Sequence, residues 1–577
     1  MSHQSENANR LPILREKLLP RDLDRAVETN TGDVFLIVPP YRRAIVDMGR
    51  SPAYMGLLRR LARDMDNGGI LCLLTTPQDA AESVTLLEGV LRFQLWTAVK
   101  VSKPRPNSHG LPEHHASLLV LSKYRGPLRH AKTRIAYSFC PACDRTTKDY
   151  GGKKHTYHYY GTLMSDVWRD IEWSPDQEPD EIAERLADVF GIDPHRRLRL
   201  LDLRSVPELK PRASGPSALF SEGHASRLRA EPLASRLVLG DCVELLSAIP
   251  DSSVDFAFAD PPYNLAKTYD NWDDSMEMRQ YFQWCDRWLG ELARVLKPGR
   301  TCAVLNIPLW AVRHFQFMKT RLTFQNWIAW EGMGLPVRMI MPSHYSIVCF
   351  AKGPPVTPPG QSRTRHSARE LEAITGSREF FCARPDCIRK RLALGVADRE
   401  PITDLWWDIH RLKHNSRRMD HPCQLPPALM RRLIAYFTNE GEVVLDPFNG
   451  VGTTTLCARS LDRRYIGIEL SEKYHAIAQD RHAFLERGGD PFAKTNGVPK
   501  AKNSRVPRMG GQPYAVSKKA LQLEVRAIAK RLGRLPTRDE VARHSKYPMM
   551  YFDQYFVSWG EVCAAARTTG MSEVRVG

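Results

Sequence analysis

The stretch EVVLDPFNGVGTTT, residues 442–455, carries the strongest fold signal in this sequence. The apolar run Glu442–Asp446 is typical of a buried strand, and it leads into a turn with glycine at positions 450 and 452. Glycine lets the backbone approach a ligand closely. A helix is predicted from Thr453, and Glu469 ends the next predicted strand, 23 residues after Asp446. A glycine-rich turn followed about 20 residues later by an acid predicts an α/β fold with a nucleotide-type cofactor site.

The turn fits two common cofactors poorly. It lacks the G-x-G-x-x-G pattern of dinucleotide sites, and no P-loop lysine follows it, so NAD and ATP are not supported. Outside the turn, predicted strands at 302–307, 345–351 and 464–470 are separated by helical patterns at 278–296 and 427–437. This alternation predicts a doubly wound parallel sheet.

A second motif, Asp260-Pro261-Pro262-Tyr263, follows the apolar run 254–259. Ligands bind at the carboxyl ends of strands in open parallel sheets. The Asp260 carboxylate and a backbone carbonyl of the stiff Pro-Pro pair could accept the two hydrogens of an exocyclic amine, which localises its lone pair. Tyr263 could stack on a base extruded from a duplex. The alternative is a plain strand-ending turn, since Asp-Pro-Pro is also favourable turn chemistry.

Composition indicates the chemical class of the binding partner. The 577 residues carry a formal net charge of +18, which favours a polyanionic partner, with nucleic acid such as double-stranded DNA first; a charge excess that serves only solubility is the alternative. No apolar run approaches a membrane span, and the first residues lack the apolar core of a signal peptide, so we expect a cytoplasmic protein with no membrane partner. The twelve cysteines in such a chain are expected to be thiols.

The chain contains an internal repeat. Five segments recur in the same order with an offset between 222 and 238 residues: DVFLIVPPY (33–41) with DFAFADPPY (255–263), LARDMDNGG (from 61) with LARVLKPGR (from 292), FQLW (to 96) with FQNW (to 327), HASLLVLSK (115–123) with HYSIVCFAK (344–352), and DVWRDI (from 166) with DLWWDI (from 404). In the first copy Val38 stands where the second has Asp260. We expect the first copy to stop after DVWRDI and to lack a cofactor half, which makes it a degenerate copy that holds or recognises DNA.

These motifs resemble the amino-methylating DNA methyltransferases that use S-adenosyl-L-methionine, in the permuted order of the beta class. The resemblance covers residues 236–487 and implies that Asp260, Pro261, Pro262 and Tyr263 are catalytic. It also implies that the loop Phe448–Gly452 holds the methionine end of the cofactor, that Glu469 holds its ribose, and that GDC (240–242) touches its adenine. HPCQLP (421–426) resembles the family motif before the loop. The implied cofactor residues are Asp241, His421, Gln424, Asp446, Phe448, Gly450, Gly452, Thr453 and Glu469.

The resemblance favours adenine-N6 methylation of DNA, because cytosine-N4 enzymes more often have serine in place of Asp260. Cytosine-N4 methylation, RNA methylation and a catalytically silent DNA-binding subunit stay open. Cytosine-C5 methylation needs a cysteine nucleophile. We interpret Cys423 as a packing residue, so this reaction is disfavoured. The chain shows no nuclease motif, so a restriction or defence partner would be a separate protein.

The cysteine pair Cys140 and Cys143 has the spacing of half a zinc site, and His155 and His158 could complete it. Alternatively, Cys140 and Cys143 could share one zinc ion with Cys382 and Cys387, or all four could be unmetallated thiols.

Composition shifts predict the domain boundaries. We expect a degenerate copy over 1–206 and a linker over 207–231. A catalytic domain over 232–488, with a recognition insert near 353–403, precedes a basic linker over 489–520. Residues 521–572 resemble the helix-turn-helix-like repeat associated with homing endonucleases, with a helix capped by Thr537; a helical oligomerisation cap is the alternative.

Overall fold

The computed structural model describes residues 14–17, 33–40, 52–123, 133–135, 139–140, 145–146, 162–192, 197–204, 233–265, 272, 274–332, 343–362, 367–378, 385–395, 397, 399–412, 423–493, 518–547, 549, 552, 556 and 559–566. The predicted linker 207–231, most of the linker 489–520, and His421, Cys143, His155, His158 and Cys382 lie outside these residues. The chain forms two compact units, Met1–Val498 and Pro499–Gly577.

The first half of unit one is built on a sheet with seven described strands. The strands of this half are β1 Leu14–Lys17, β2 Val34–Val38, β3 Ile70–Thr75, β4 Arg92–Arg105, β5 Glu113–Ser122, β6 Arg134–Ile135, β7 Phe139–Cys140, β8 Arg145–Thr146, β9 Thr162–Leu163, β10 Val167–Trp173 and β11 Leu198–Asp202. The sheet order is β1-β11-β2-β3-β5-β4-β10, while β6 pairs with β9 and β7 with β8.

The second half is built on a sheet with eight described strands, in the order β12-β21-β20-β13-β14-β16-β15-β19, and β17 pairs with β18. Its strands are β12 Arg236–Leu239, β13 Val254–Ala259, β14 Leu296–Asn306, β15 Thr323–Glu331, β16 His344–Ala351, β17 Thr375–Ser377, β18 Arg399–Pro401, β19 Leu405–Trp406, β20 Val443–Asp446 and β21 Arg464–Glu469.

Helices connect these strands and form unit two. They are α1 Pro52–Asp64, α2 Pro77–Leu86, α3 Asp180–Phe190, α4 Cys242–Ser247, α5 Met278–Val295, α6 Pro308–Met318, α7 Ala368–Ala373, α8 Pro385–Ala393, α9 Pro427–Phe437, α10 Thr453–Ser460, α11 Glu472–Glu486, α12 Lys518–Leu532, α13 Arg538–His544 and α14 Trp559–Ala566, with a short 3₁₀ turn at Pro359–Gln361. The helices predicted at 278–296, 427–437 and 453–460 are confirmed.

Strand β13 explains why the second sheet is covered on both faces. All six of its residues are buried, as expected of a central parallel strand. Ala257 and Ala259 pack in one core cluster with residues of α5, whereas Phe256 and Phe258 pack in another with residues of α9. The predicted doubly wound α/β fold is therefore confirmed. The sheet is not entirely parallel, because β16 runs antiparallel to both β14 and β15.

The two sheets share one topology. β2, β3, β5, β4 and β10 are arranged as β13, β14, β16, β15 and β19 are, with the same parallel and antiparallel neighbours. The expectation that the first copy stops after DVWRDI is wrong, because helix α3 and strand β11 follow it. They correspond to α9 and β20 of the second copy. LRLLD in β11 was missed because no glycine-rich turn follows it. In the described residues, β1 lies next to β11 in the first sheet, in the position that β21 occupies next to β20 in the second sheet.

The first copy also contributes to the core of the second. Leu111, in the turn between β4 and β5, is fully buried in the cluster that contains Phe256, Trp330 and Tyr436. Asn326 of the second copy fixes this turn, since its Oδ1 accepts from Leu111 N at 2.7 Å and its Nδ2 donates to Leu111 O at 3.0 Å. The copies thus share one continuous interior.

Unit two has a small core of its own around Val525, Ile528 and Phe552. Helix α13 begins with the predicted cap: Thr537 Oγ1 accepts from Glu540 N at 3.3 Å, and the Glu540 carboxylate accepts from Thr537 N at 2.8 Å. None of the described helices in either unit is long and apolar enough to cross a membrane.

Candidate functional site

The Asp-Pro-Pro-Tyr motif follows β13 directly and is fixed by three hydrogen bonds. The Tyr263 hydroxyl donates to Asp260 Oδ1 at 2.8 Å, the Tyr281 hydroxyl to the Pro262 carbonyl at 2.8 Å, and Trp310 Nε1 to the Tyr263 carbonyl at 2.9 Å. Burial, together with the nearby Asp260 charge, raises the pKa of Tyr263 well above its ordinary value. The phenol therefore stays protonated near neutral pH and acts as a donor.

The backbone after the motif is held by a buried acid. Asn264 has φ of 55°, and the Asp274 carboxylate accepts from the backbone N–H of Asn264 at 2.7 Å and of Leu265 at 3.0 Å. The Asn264 side chain donates to Met276 O at 2.8 Å. Asp274 thereby joins the end of the motif to the segment that precedes α5.

The glycine-rich loop connects β20 to α10. Asp446 ends β20, and its Oδ1 accepts from Phe448 N at 2.8 Å. Gly450 and Gly452 have φ of 51° and 82°, a region that favours glycine. A Cβ on Gly452 would lie 3.1 Å from that of Ala478, so a side chain there would also crowd α11.

The acid at the end of β21 closes this loop. Glu469 Oε2 accepts from Gly450 N at 2.7 Å, and Oε1 accepts from Ser471 N at 2.9 Å. Each carboxylate oxygen can accept a second hydrogen bond, so Glu469 can still receive a ligand hydroxyl. After the neighbouring strand β12, Asp241 caps α4, with its Oδ1 accepting from Val243 N at 2.8 Å.

One cleft brings these segments together. Its void, open mouth included, is about 1030 Å³. The predicted residues that line it are Asp241, Asp260, Pro261, Pro262, Tyr263, Gln424, Asp446, Phe448, Gly450, Thr453 and Glu469. Gly452 is not among the lining residues; it is the N-cap residue of α10. Cys423, which we interpreted as packing, also lines the cleft.

An aromatic wall of the cleft was not predicted. The rings of Trp272 and Trp284 lie 4.6 Å apart, and both line the cleft. The Phe448 ring packs edge-on against Trp284 at 5.7 Å and Trp288 at 5.1 Å. The aromatic spacing 281, 284 and 288 on α5 was the available signal.

The cleft is strongly acidic. Asp260, Asp446 and Glu469 all line it, together with Asp241. Burial, with smaller contributions from the charges of Asp260 and Glu469, raises the pKa of Asp446 to about 7, although hydrogen bonds from Thr454 and Phe448 N oppose the rise. Such a cavity favours a ligand that carries positive charge.

The proposed metal site lies mostly outside the described residues. Cys140 lies in β7, and Cys387 is buried on α8. Within the described part of the chain, no group of three or more His, Cys, Asp or Glu side chains is arranged to hold a metal ion.

The fold and cleft define a Rossmann-like α/β protein with a site for a nucleotide-type cofactor. Residues 254–480 match a family model described as DNA methylase, and residues 516–566 match one described as homing endonuclease associated repeat. The Type II methyltransferase M.HpaI of Haemophilus parainfluenzae is 30% identical over 43% of this chain and 73% of its own length. The chain belongs to this DNA methylase family.

Other relatives match the same part of the chain. The Type II methyltransferase M.BamHI of Bacillus amyloliquefaciens is 35% identical over 41% of this chain, which spans 54% of that relative's length. The DNA adenine methyltransferase YhdJ of Escherichia coli K12 is 28% identical over 42% of this chain and 80% of its own. The crystal structure of a DNA modification methylase from Thermus thermophilus with S-adenosyl-L-methionine is 24% identical and covers 43% of this chain and 95% of its own, with a TM-score of 0.29.

Proposed function

We propose that this chain is a site-specific DNA methyltransferase of the permuted beta class, which transfers a methyl group from S-adenosyl-L-methionine to the N6 amine of an adenine extruded from DNA. The observation that carries the proposal is the single cleft shared by Asp260–Tyr263 and the glycine-rich loop. Family membership and the adenine specificity of the relative YhdJ support it.

The cleft fits this cofactor chemically. Its carboxylates suit the positive sulfonium and ammonium groups, and Glu469 keeps acceptor capacity for ribose hydroxyls. We assign Trp284 and Phe448 to contacts with the apolar surface of the cofactor, and Gly450 to close backbone approach. When bound, the sulfonium supplies the methyl group.

The motif residues receive distinct roles. Asp260 accepts one hydrogen of the adenine amine, and the Pro261 carbonyl accepts the other, since the Pro262 carbonyl points toward the Tyr281 hydroxyl, from which it accepts. Tyr263 stacks on the base while its hydroxyl orients Asp260. Holding both reactants in one cleft supplies much of the rate.

The remaining parts are proposed to bind DNA without chemistry. In the first copy Val38 replaces the catalytic acid, and Asp202, which ends β11 as Asp446 ends β20, accepts from Arg204 Nε at 2.9 Å. Unit two and the basic linker 489–520 would contact DNA, consistent with the net charge of +18. A structural zinc at Cys140 and Cys143 is proposed from their spacing alone, and elemental analysis of the purified protein tests it. A restriction or defence partner would be a separate protein.

Incubation with labelled S-adenosyl-L-methionine and either DNA or RNA tests the function. We expect label in DNA, and nucleoside mass spectrometry should identify N6-methyladenine. N4-methylcytosine would support the cytosine-N4 alternative. Label in RNA would identify RNA as the substrate, and no transfer to either would support a catalytically silent DNA-binding subunit.

Cofactor affinity should rise with pH because of Asp446. Ionisation of Asp446 near pH 7 adds negative charge to the cleft, so the Kd for S-adenosyl-L-methionine should fall by up to about tenfold between pH 6 and 8. Titration calorimetry at several pH values measures this. Asp446→Asn should weaken binding and flatten the pH dependence; an unchanged slope would contradict the role of Asp446.

The same group should affect the stability of the ligand-free protein in the opposite direction. The folded pKa of Asp446 lies above its unfolded value, so its favourable contribution is present at low pH and is lost as pH rises through about 7. In thermal melts without cofactor, Asp446→Asn should therefore lose less stability than the wild type between pH 6 and 8.

A further inference from the structure

Two acid–histidine pairs join the two copies, and in each pair the acid belongs to one copy and the histidine to the other. His115 and His344 are equivalent in the repeat, as are Asp166 and Asp404. His115 Nδ1 of the first copy lies 3.1 Å from Asp404 Oδ1 of the second, and His344 Nδ1 of the second lies 2.9 Å from Asp166 Oδ2 of the first. All four residues are at least 96% buried. Each copy therefore completes a buried pair of the other.

The backbone contacts follow the same exchange. Asp166 Oδ1 accepts from the backbone N–H of Ser343 at 2.8 Å and of His344 at 3.2 Å, where β16 begins. Asp404 Oδ1 accepts from His114 N at 2.6 Å, near the start of β5.

The stacking of two equivalent tryptophans completes this arrangement. The rings of Trp96 and Trp327 lie 4.8 Å apart and 6° from parallel. Contact between equivalent residues is the signature of a two-fold axis, so the chain is an internal pseudodimer.

One of these two pairs, His344 with Asp166, is connected to the catalytic motif through the next residue in the chain. Tyr345 follows His344 directly, and its ring centroid lies 6.3 Å from that of Tyr263. Arg411 donates to the Tyr345 hydroxyl and covers its ring at 5.0 Å. The other pair, His115 with Asp404, belongs to the equivalent region of the first copy, where Val38 occupies the catalytic position.

The first copy holds the neighbouring strand as well. Arg169 Nε donates to Glu331 Oε2 at 2.9 Å, at the end of β15, and its guanidinium lies 4.9 Å above the Trp407 ring. Asp166 and Arg169 thus fix the end of β15 and the start of β16, the two strand ends beside Tyr345.

We propose that Asp166 of the degenerate copy is a positioning residue for the target base, acting through the Ser343 and His344 backbone on Tyr345 and, through its ring, on Tyr263. The inference rests on the proposed function, because Tyr263 is assigned there to the extruded base. The first copy then serves catalysis through the geometry of the base pocket, in addition to any contact with DNA.

The pseudosymmetry offers a matched control. Asp166→Ala and Asp404→Ala each remove one buried carboxylate from the same interface, and both variants of the full chain should lose similar thermal stability. Only Asp166→Ala should lower the single-turnover methylation rate, by about tenfold or more, since small displacements of reacting groups have large effects. It should also reduce the fluorescence rise of 2-aminopurine placed at the target adenine. Asp404→Ala should stay within about twofold of wild type in both measurements.

A second variant keeps the test informative if the alanine variants fold poorly. Tyr345→Leu should reproduce the loss of rate and of 2-aminopurine signal with little effect on the Kd for S-adenosyl-L-methionine. Adding Asp166→Asn to Tyr345→Leu should lower the rate no further. Equal rate losses for Asp166→Ala and Asp404→Ala, or full activity of Tyr345→Leu, would overturn the inference. A wild-type chain that methylates no base would instead contradict the proposed function.

Discussion

Asp260→Asn should reduce the rate of methyl transfer by roughly 10²–10⁴-fold, the range of a positioned acid–base group. The amide keeps the shape of the carboxylate and can still accept from the Tyr263 hydroxyl, but it lacks the charge that draws the amine hydrogen. Single-turnover assays with labelled S-adenosyl-L-methionine measure the rate. The fold and cofactor site should persist, so the melting temperature should change little and the Kd should stay within about tenfold of wild type.

The first copy supplies a control for this prediction. Val38→Asp rebuilds the acid in the first copy, yet combining it with Asp260→Asn should restore no activity. The strand end at Asp202 is followed by Arg204 where the second copy has Phe448, and Arg204 also donates to the Gln177 carbonyl at 2.5 Å. A methylation rate for Asp260→Asn near that of wild type would remove Asp260 from the chemistry.

The sequence predicted the parts of the site that lie within continuous motifs. Asp260–Tyr263 and the loop from Phe448 carry their own turn chemistry, so their place at strand ends follows from local rules. The wall of Trp272 and Trp284 joins a residue before α5 to one inside it and packs on the loop far along the chain. The aromatic spacing on α5 indicates an aromatic helix face, but only the fold determines which residues this face contacts.

The repeat shows a related limit. It identifies His115, His344, Asp166 and Asp404 as equivalent residues, but equivalence is compatible with pairing inside each copy or between copies. The structure has the second arrangement, because the pseudo-two-fold axis places each histidine beside the acid of the other copy. A sequence pattern records which residues recur and leaves open how two units dock.

Removal of residues 1–206 should abolish the cooperative unfolding of the catalytic half. The truncation would expose the faces that receive Leu111 and Trp96, and it would leave the Asp404 carboxylate without its His114 and His115 partners. Loss of a buried leucine such as Leu111 from a core alone costs about 2–5 kcal/mol, a large part of ordinary stability. Differential scanning calorimetry and soluble yield measure the effect.

Removal of unit two, residues 499–577, is the matched truncation, since that unit has its own core. Unit one should then keep its melting transition within about 2 °C. A finer comparison uses point variants: Leu111→Ala should destabilise the chain by about 2–5 kcal/mol, whereas Leu394→Ala, at a side chain that is 77% exposed, should have almost no effect. A soluble catalytic half with the full chain's melting temperature would show that the degenerate copy is dispensable for folding. The predicted loss would instead show that the first copy completes the core of the second.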